Sequence, residues 1–176
     1  MQLVNTMPLS ADAWLAALKN DDTRRISNAS ICTEEWISPG PDPNRAPETF
    51  VSWNANGIFK RIRQGDLATL LKQRDPDFLH VTEIKGAPTG RSSMQLAAAF
   101  KALGYCHAAW NWSVDTPGNH GSVVFCKYRL HVSYGLQTDT RQSKGEDVDG
   151  RTITCSFKDF TVVCTYTPCG TKLQPD

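Results

Sequence analysis

The sequence predicts a layered α/β (α+β) domain, parallel in its early strands and antiparallel in its late ones. Two observations carry that expectation. From Phe50 to Leu103, short apolar runs alternate with turns and with two stretches of helical period. After Gly104 the pattern becomes all-β, with "YCHAAWNW", "GSVVFCK", "LHVSYGL", "RTITCSF" and "FTVVCTYTP" in succession. Strands separated by helices pair in parallel, whereas strands joined by short turns pair antiparallel. At 176 residues, 40% of them hydrophobic, the chain can fill one core.

The elements follow in order. Ser10 can cap a short helix that runs through Lys19, with Trp14, Leu15 and Leu18 on one stripe. In "ISPGPDPNRAP" the prolines Pro39, Pro41, Pro43 and Pro47 exclude regular structure and suggest an extended linker. Residues 1–49 are therefore expected to be an extension, and residues 50–176 the compact part. Phe50 to Ala55 is expected as a strand, followed by one helix from Phe59 to Arg74. Phe59, Ile62, Leu67, Leu70 and Leu71 form its core side, and "RDPD" ends it. "FLHVTEI" (78–84) is a second strand, and Ser92 to Leu103 a second helix with Leu96, Phe100 and Leu103 aligned. In the last hairpin, a two-residue loop at Lys158-Asp159 would set Phe157 against Phe160, Cys155 against Val162, and Ile153 against Cys164.

Composition narrows the function classes. With 19 Lys and Arg against 18 Asp and Glu, any anion-binding surface has to come from local clustering. Residues 1–20 lack the basic-then-apolar order of a signal peptide, and no apolar run has the length of a membrane span. The six cysteines (Cys32, Cys106, Cys126, Cys155, Cys164, Cys169) form no CxxC pair, and most fall within apolar strands. They are expected to be reduced, mostly buried thiols of an intracellular protein, with no zinc site.

Three residues raise a question of chemistry. Asn54 closes the first strand in "VSWNANGIFK", at the last inward-looking position, although Asn is poor in strands. Either it makes an Asx turn with its own loop, or its amide addresses an ion or a phosphate. Glu83 closes the second strand, and its alternatives are an exposed ion pair with Lys85 or a metal ligand. One crossover helix joins these strands, so they should be parallel neighbours with their C-terminal ends together, where ligands bind in such sheets. An amide and a carboxylate converging there would suit Mg2+. Tyr166 continues the apolar face of the last strand to its end, either as a core tyrosine with a wet tip or with its hydroxyl in the site.

"SWNANGI", "DPDFLHVTEIK", "LGYCHAAWNW" with "GNHGSVVFCK", "GRTITCSF" and "FTVVCTYTPCG" resemble, in order and spacing, the exonuclease III class of apurinic/apyrimidinic endonucleases. That class lies within the endonuclease/exonuclease/phosphatase superfamily, and the resemblance covers about residues 50 to 171. It implies a four-layer αββα sandwich and a divalent-metal-dependent DNA repair phosphodiesterase. The enzyme would hydrolyse the phosphodiester 5′ to an abasic site in double-stranded DNA. Glu83 matches the metal-binding glutamate of "QETK", and Asn54 the asparagine that helps hold metal and attacking water. Tyr166 matches the tyrosine that touches the scissile phosphate. Asn56 stands where relatives carry an aspartate or asparagine, and Arg151 matches an arginine near the DNA-binding face. The implied cofactor is Mg2+, with Mn2+ as a substitute. Lys60, Arg61 and Arg63 of "FKRIR" form the best local basic cluster for phosphates, against the alternative of a solvated helix face.

The departures are specific. Thr82 replaces a glutamine, Cys169 an asparagine that contacts phosphate, and Asn119-His120 a tyrosine and serine of a DNA-contacting loop; His120 reads as a loop residue. The family's "GDxN" and Asp-His motifs do not occur before Asp176, so the C-terminal half of the domain is expected to be missing. The isolated chain is accordingly expected to be marginally folded and catalytically inactive. The alternatives are a degenerate remnant that binds nucleic acid or a partner without turnover, and another superfamily phosphodiesterase such as a retroelement endonuclease or lipid phosphatase. A nuclear, monomeric protein is expected.

Overall fold

The computed structural model describes residues 36–37, 45–85, 96, 99–101, 103–113, 118–135 and 150–168. The elements are β1 (Trp36–Ile37), β2 (Phe50–Asn54), α1 (Ile58–Gln64), α2 (Asp66–Arg74), β3 (Phe78–Thr82), β4 (His107–Asn111), β5 (Ser122–Cys126), β6 (His131–Tyr134), β7 (Thr152–Ser156) and β8 (Thr161–Thr165). They form a five-stranded sheet of order β1-β4-β5-β3-β2 and a three-stranded sheet of order β6-β7-β8. Among the described residues only the β2–β3 pair is parallel, as expected for strands joined by helices, and the other pairs are antiparallel.

The five-stranded sheet is covered on both faces, which is why β3 and β5 are apolar runs rather than alternating ones. On one face Leu79, Val81, Val123 and Phe125 pack with Ile58, Ile62, Leu67, Leu71, Leu96 and Phe100. Phe100 stacks on Phe125 with ring centroids 3.6 Å apart. On the other face Phe78, Val124 and Cys126 meet Ile153, Cys155 and Cys164 of the second sheet. Burying one such large side chain contributes about 1.5–3 kcal/mol, so this two-sided core is the main source of stability. The outer face of the three-stranded sheet is open among the described residues, with Val163 half exposed. No described helix is long and apolar enough to cross a membrane.

Several expectations shift. The helix expected over Phe59–Arg74 is two helices, broken at Gly65, whose φ of +83° serves both the end of α1 and the start of α2. The segment ahead of Phe50 reaches the sheet: β1 pairs with β4, Pro47 is buried, and Asp77 accepts the Glu48 and Thr49 N–H groups. The expected helix from Ser10 lies outside the described residues, as do Cys32 and Cys169. Cys106, Cys126, Cys155 and Cys164 are buried, as expected, and burial pushes the Cys126 thiol up to about 12. The hairpin register is as expected, with Ile153 opposite Cys164, Cys155 opposite Val162, and Phe157 N–H bonded to the Phe160 carbonyl.

Two features of the core end in measurable consequences. Gly150 (φ +66°) lies where the second sheet meets the end of β4, and a Cβ there would sit 2.5 Å from the Asn111 carbonyl oxygen. Gly65→Ala meets no atom and should cost only the left-handed backbone penalty of about 1 kcal/mol. Gly150→Ala adds a clash with rigid backbone and should cost roughly 3 kcal/mol or more, as read by urea denaturation. His80, on β3, is buried with Nδ1 3.1 Å from Ser52 Oγ, and burial lowers its pKa to about 4. Unfolded, the same imidazole takes up a proton near its ordinary value of 6.5. Between those two values the unfolded chain binds the extra proton, so stability falls as pH is lowered. His80 should account for a loss of about 2 kcal/mol between pH 7 and pH 5, and His80→Leu should remove that share of the slope.

Candidate active site

The parallel register of β2 and β3 sets Asn54 opposite Thr82, and the two chains stay joined beyond their strands. Ala55 N–H donates to the Thr82 carbonyl at 3.1 Å, Gly57 N–H to Glu83 at 2.8 Å, and Ile58 N–H to Ile84 at 3.2 Å. On the other side, Ile84 and Lys85 N–H donate to the carbonyls of Gly121 and His120. Three loops are thus knitted around one point. Glu83 is not in the strand, as the sequence had suggested, but one residue past it, in a left-handed conformation (φ +51°) that ends the ladder. Asn56 (+47°) and Lys85 (+49°) share that conformation. It is natural for Asn but strained for Glu and Lys, at about 1–3 kcal/mol each, and such strain clusters at functional sites.

The side chains converge on Glu83. Asn54 Oδ1 accepts the Asn56 N–H at 3.0 Å, which is the Asx turn, and Asn54 Nδ2 donates to Glu83 Oε1 at 2.9 Å. The backbone N–H requires an oxygen and the carboxylate requires a donor, so the amide's orientation is fixed from both sides. Tyr166 donates its hydroxyl to the same Oε1 at 2.7 Å, from the end of the second sheet. Glu83 Oε2 lies 3.4 Å from Lys85 Nζ, and Lys85 Nζ also donates to Asn56 Oδ1. The Asn54 hydrogen bond, then that of Tyr166, and lastly Lys85 hold the Glu83 carboxyl below its usual range, while partial burial opposes them. Glu83 is therefore ionised throughout the neutral range.

Each expected site residue has a place. Asn54, Glu83 and Tyr166 form one hydrogen-bonded cluster, with Asn56 joined to it through Lys85. Asn54 is exposed rather than inward-looking, because Val51 and Trp53 fill the helix-side core and turn Phe50, Ser52 and Asn54 the other way. Arg151 anchors Tyr166, whose N–H donates to the Arg151 carbonyl at 2.9 Å. Arg61 has partners within the fold: its Nε donates to the Ala55 carbonyl at 2.9 Å and its Nη1 pairs with Asp66 at 3.2 Å. The guanidinium therefore ties the Asn54–Asn56 turn to the helices, a tertiary role that no local pattern signals. Lys60 and Arg63 are exposed on α1. His120 is a loop residue, as read, but its ring stands 6.1 Å from that of Tyr166. Residue 169 lies outside the described residues.

The donor set fits a hard cation. Two oxygens, Glu83 Oε2 and Asn56 Oδ1, already share one positive charge, the Lys85 ammonium. Among the described residues no three His, Cys, Asp or Glu side chains gather to hold a metal.

An ionised carboxylate thus lies at the C-terminal ends of two parallel strands, where two packed sheets meet. The chain is 30% identical over 162 residues to the DNA repair nuclease APEX1 of Danio rerio, across 90% of this chain and 49% of that protein. It is 32% identical over 120 residues to an exodeoxyribonuclease of Bacillus subtilis (strain 168), across 68% of this chain and 42% of that protein. The AP endonuclease LMAP from Leishmania major shares the fold, with a TM-score of 0.52 at 19% identity over 87% of this chain and 50% of that one. No protein-family model matches. The chain is thus similar to nucleases of the exonuclease III class, and it spans about half the length of the curated relatives it matches.

If the two donors set the charge on Glu83, removing either should let its pKa rise. Asn54→Ala and Tyr166→Phe should each move the Glu83 carboxyl titration upward, with Asn54→Ala moving it further, as followed by 13C NMR of the side-chain carboxyl carbon. An unchanged titration would dissociate the cluster from the charge.

Proposed function

We propose that this chain carries the metal- and phosphate-binding part of a DNA repair phosphodiesterase that cleaves 5′ to abasic sites in double-stranded DNA. The observation that carries the reading is the convergence of Asn54 and Tyr166 donors on an ionised Glu83, supported by relatives named as DNA repair nucleases and AP endonucleases. Glu83 and Asn56 would hold Mg2+, or Mn2+ in its place, with Asn54 supporting the carboxylate. A bound divalent ion would offset negative charge developing on the phosphate. Once a phosphate oxygen competes for them, the Tyr166 hydroxyl and the Asn54 amide can donate to it instead of to Glu83, and donors already aimed at one point need little reorganisation. Lys60 and Arg63 would meet the DNA backbone outside the site.

Activating water also needs a base, and proton transfer typically contributes about 10²–10⁴-fold. Glu83 serves that role poorly, since its pKa is lowered and both its oxygens are engaged. We therefore propose that the chain by itself binds substrate without efficient turnover. The Lys85 ammonium beside Glu83 favours one second reading, a remnant in which lysine has permanently replaced the metal.

In a thermal-shift and binding assay, Mg2+ should stabilise the purified chain and not its Glu83→Gln variant. An abasic duplex should then bind more tightly than an intact one when Mg2+ is present. Equal binding of both duplexes would remove the abasic specificity, and a Tm indifferent to Mg2+ would favour the remnant. Incision that requires Mg2+ and is lost in Glu83→Gln would overturn the proposed lack of turnover.

A further inference from the structure

The metal reading above has a consequence for Lys85 that it does not itself contain. Glu83 Oε1 is occupied by two donors, Asn54 Nδ2 at 2.9 Å and the Tyr166 hydroxyl at 2.7 Å. The carboxylate can therefore offer a cation only Oε2, and that oxygen faces Lys85 Nζ at 3.4 Å. The neighbouring oxygen, Asn56 Oδ1, accepts a hydrogen bond from the same ammonium. Both oxygens suited to a metal are thus committed to one side-chain cation.

The backbone enforces this. Glu83 and Lys85 are two apart and both left-handed, with Ile84 buried between them, and the Lys85 N–H is tied to the His120 carbonyl. The root of the lysine is pinned, yet its side chain is 38% exposed, so its end has room to swing into solvent. A divalent ion and an ammonium cannot share the same two oxygens, because like charges at contact distance repel and each oxygen would lose a partner.

We infer that Lys85 is a built-in cation competitor: it neutralises Glu83 while the site is metal-free, and a divalent ion binds by expelling it. The inference rests on the metal-binding reading of Glu83 and adds that occupancy is an exchange between two cations rather than the filling of an open carboxylate site. Lysine then raises the metal concentration needed for occupancy and keeps the strained turn from carrying an uncompensated charge.

Mn2+ binding to the intact chain, read from loss of its free-ion EPR signal, tests this without any catalytic readout. Lys85→Met should tighten the Mn2+ Kd by about fivefold, the worth of a partly exposed ion pair. Lys85→Arg keeps a competing charge and should bind nearly as weakly as the parent. Lys101→Met, which removes an exposed charge outside the cluster, should leave the Kd unchanged and so control for net charge. Should Lys85→Met fold poorly, Lys85→Gln, which keeps the hydrogen bond to Asn56 without the charge, should still bind Mn2+ more tightly than Lys85→Arg. Equal Kd values for Lys85→Met, Lys85→Arg and the parent would overturn the competition while leaving the metal site in place. No Mn2+ binding by any of them would overturn the metal reading, and the competition with it.

Discussion

The site depends on a single carboxylate that both sheets hold. Asn54 reaches Glu83 Oε1 from β2 of the five-stranded sheet, and Tyr166 reaches it from beyond β8 of the three-stranded sheet. The bond from Tyr166 spans 83 positions of sequence, so it exists only when the two sheets are packed in register. A hydrogen bond to a charged group contributes about 1.5–3 kcal/mol when made, and leaves a costly unpaired charge when broken. The site and the sandwich therefore report on each other.

The rest of the interface keeps that contact in place. At the opposite end of the strands Phe50, Phe78, Phe157 and Phe160 pack as a chain of tilted and edge-to-face rings across the two sheets. Nearer the site, Asn111 Nδ2 donates to the Thr152 carbonyl and Ser122 Oγ to the Gly150 carbonyl, both buried. Apolar packing supplies most of the free energy and these polar ties fix the register. Gly150 allows the close approach, Arg151 follows it, and the Arg151 carbonyl positions Tyr166.

Electrostatics at the site is a matter of partners already in place. Of the two alternatives that the sequence posed at Asn54, the Asx turn is realised through its oxygen, while its nitrogen serves the Glu83 carboxylate. At Glu83 the pair with Lys85 is realised, and the carboxylate is also the focus of the converging donors. A polar group with two kinds of partner satisfies a local and a long-range demand together, and this is why a poor strand former persists at position 54.

The sequence by itself anticipated the parallel pairing of β2 with β3, the β7–β8 register and the meeting of Asn54 with Glu83 at the strand ends. Each follows from a local pattern: a turn signal, a period of two, or a helical crossover between two strands. The break at Gly65 was missed because a glycine within a helical period looks the same whether or not it bends the chain. That Arg61 holds the Asn54–Asn56 turn, and that Lys85 shares both oxygens suited to a metal, could be decided only by the tertiary structure. A long cationic side chain reaches many positions equally well from sequence, and only the packed backbone, with Glu83 and Lys85 forced left-handed, selects one of them.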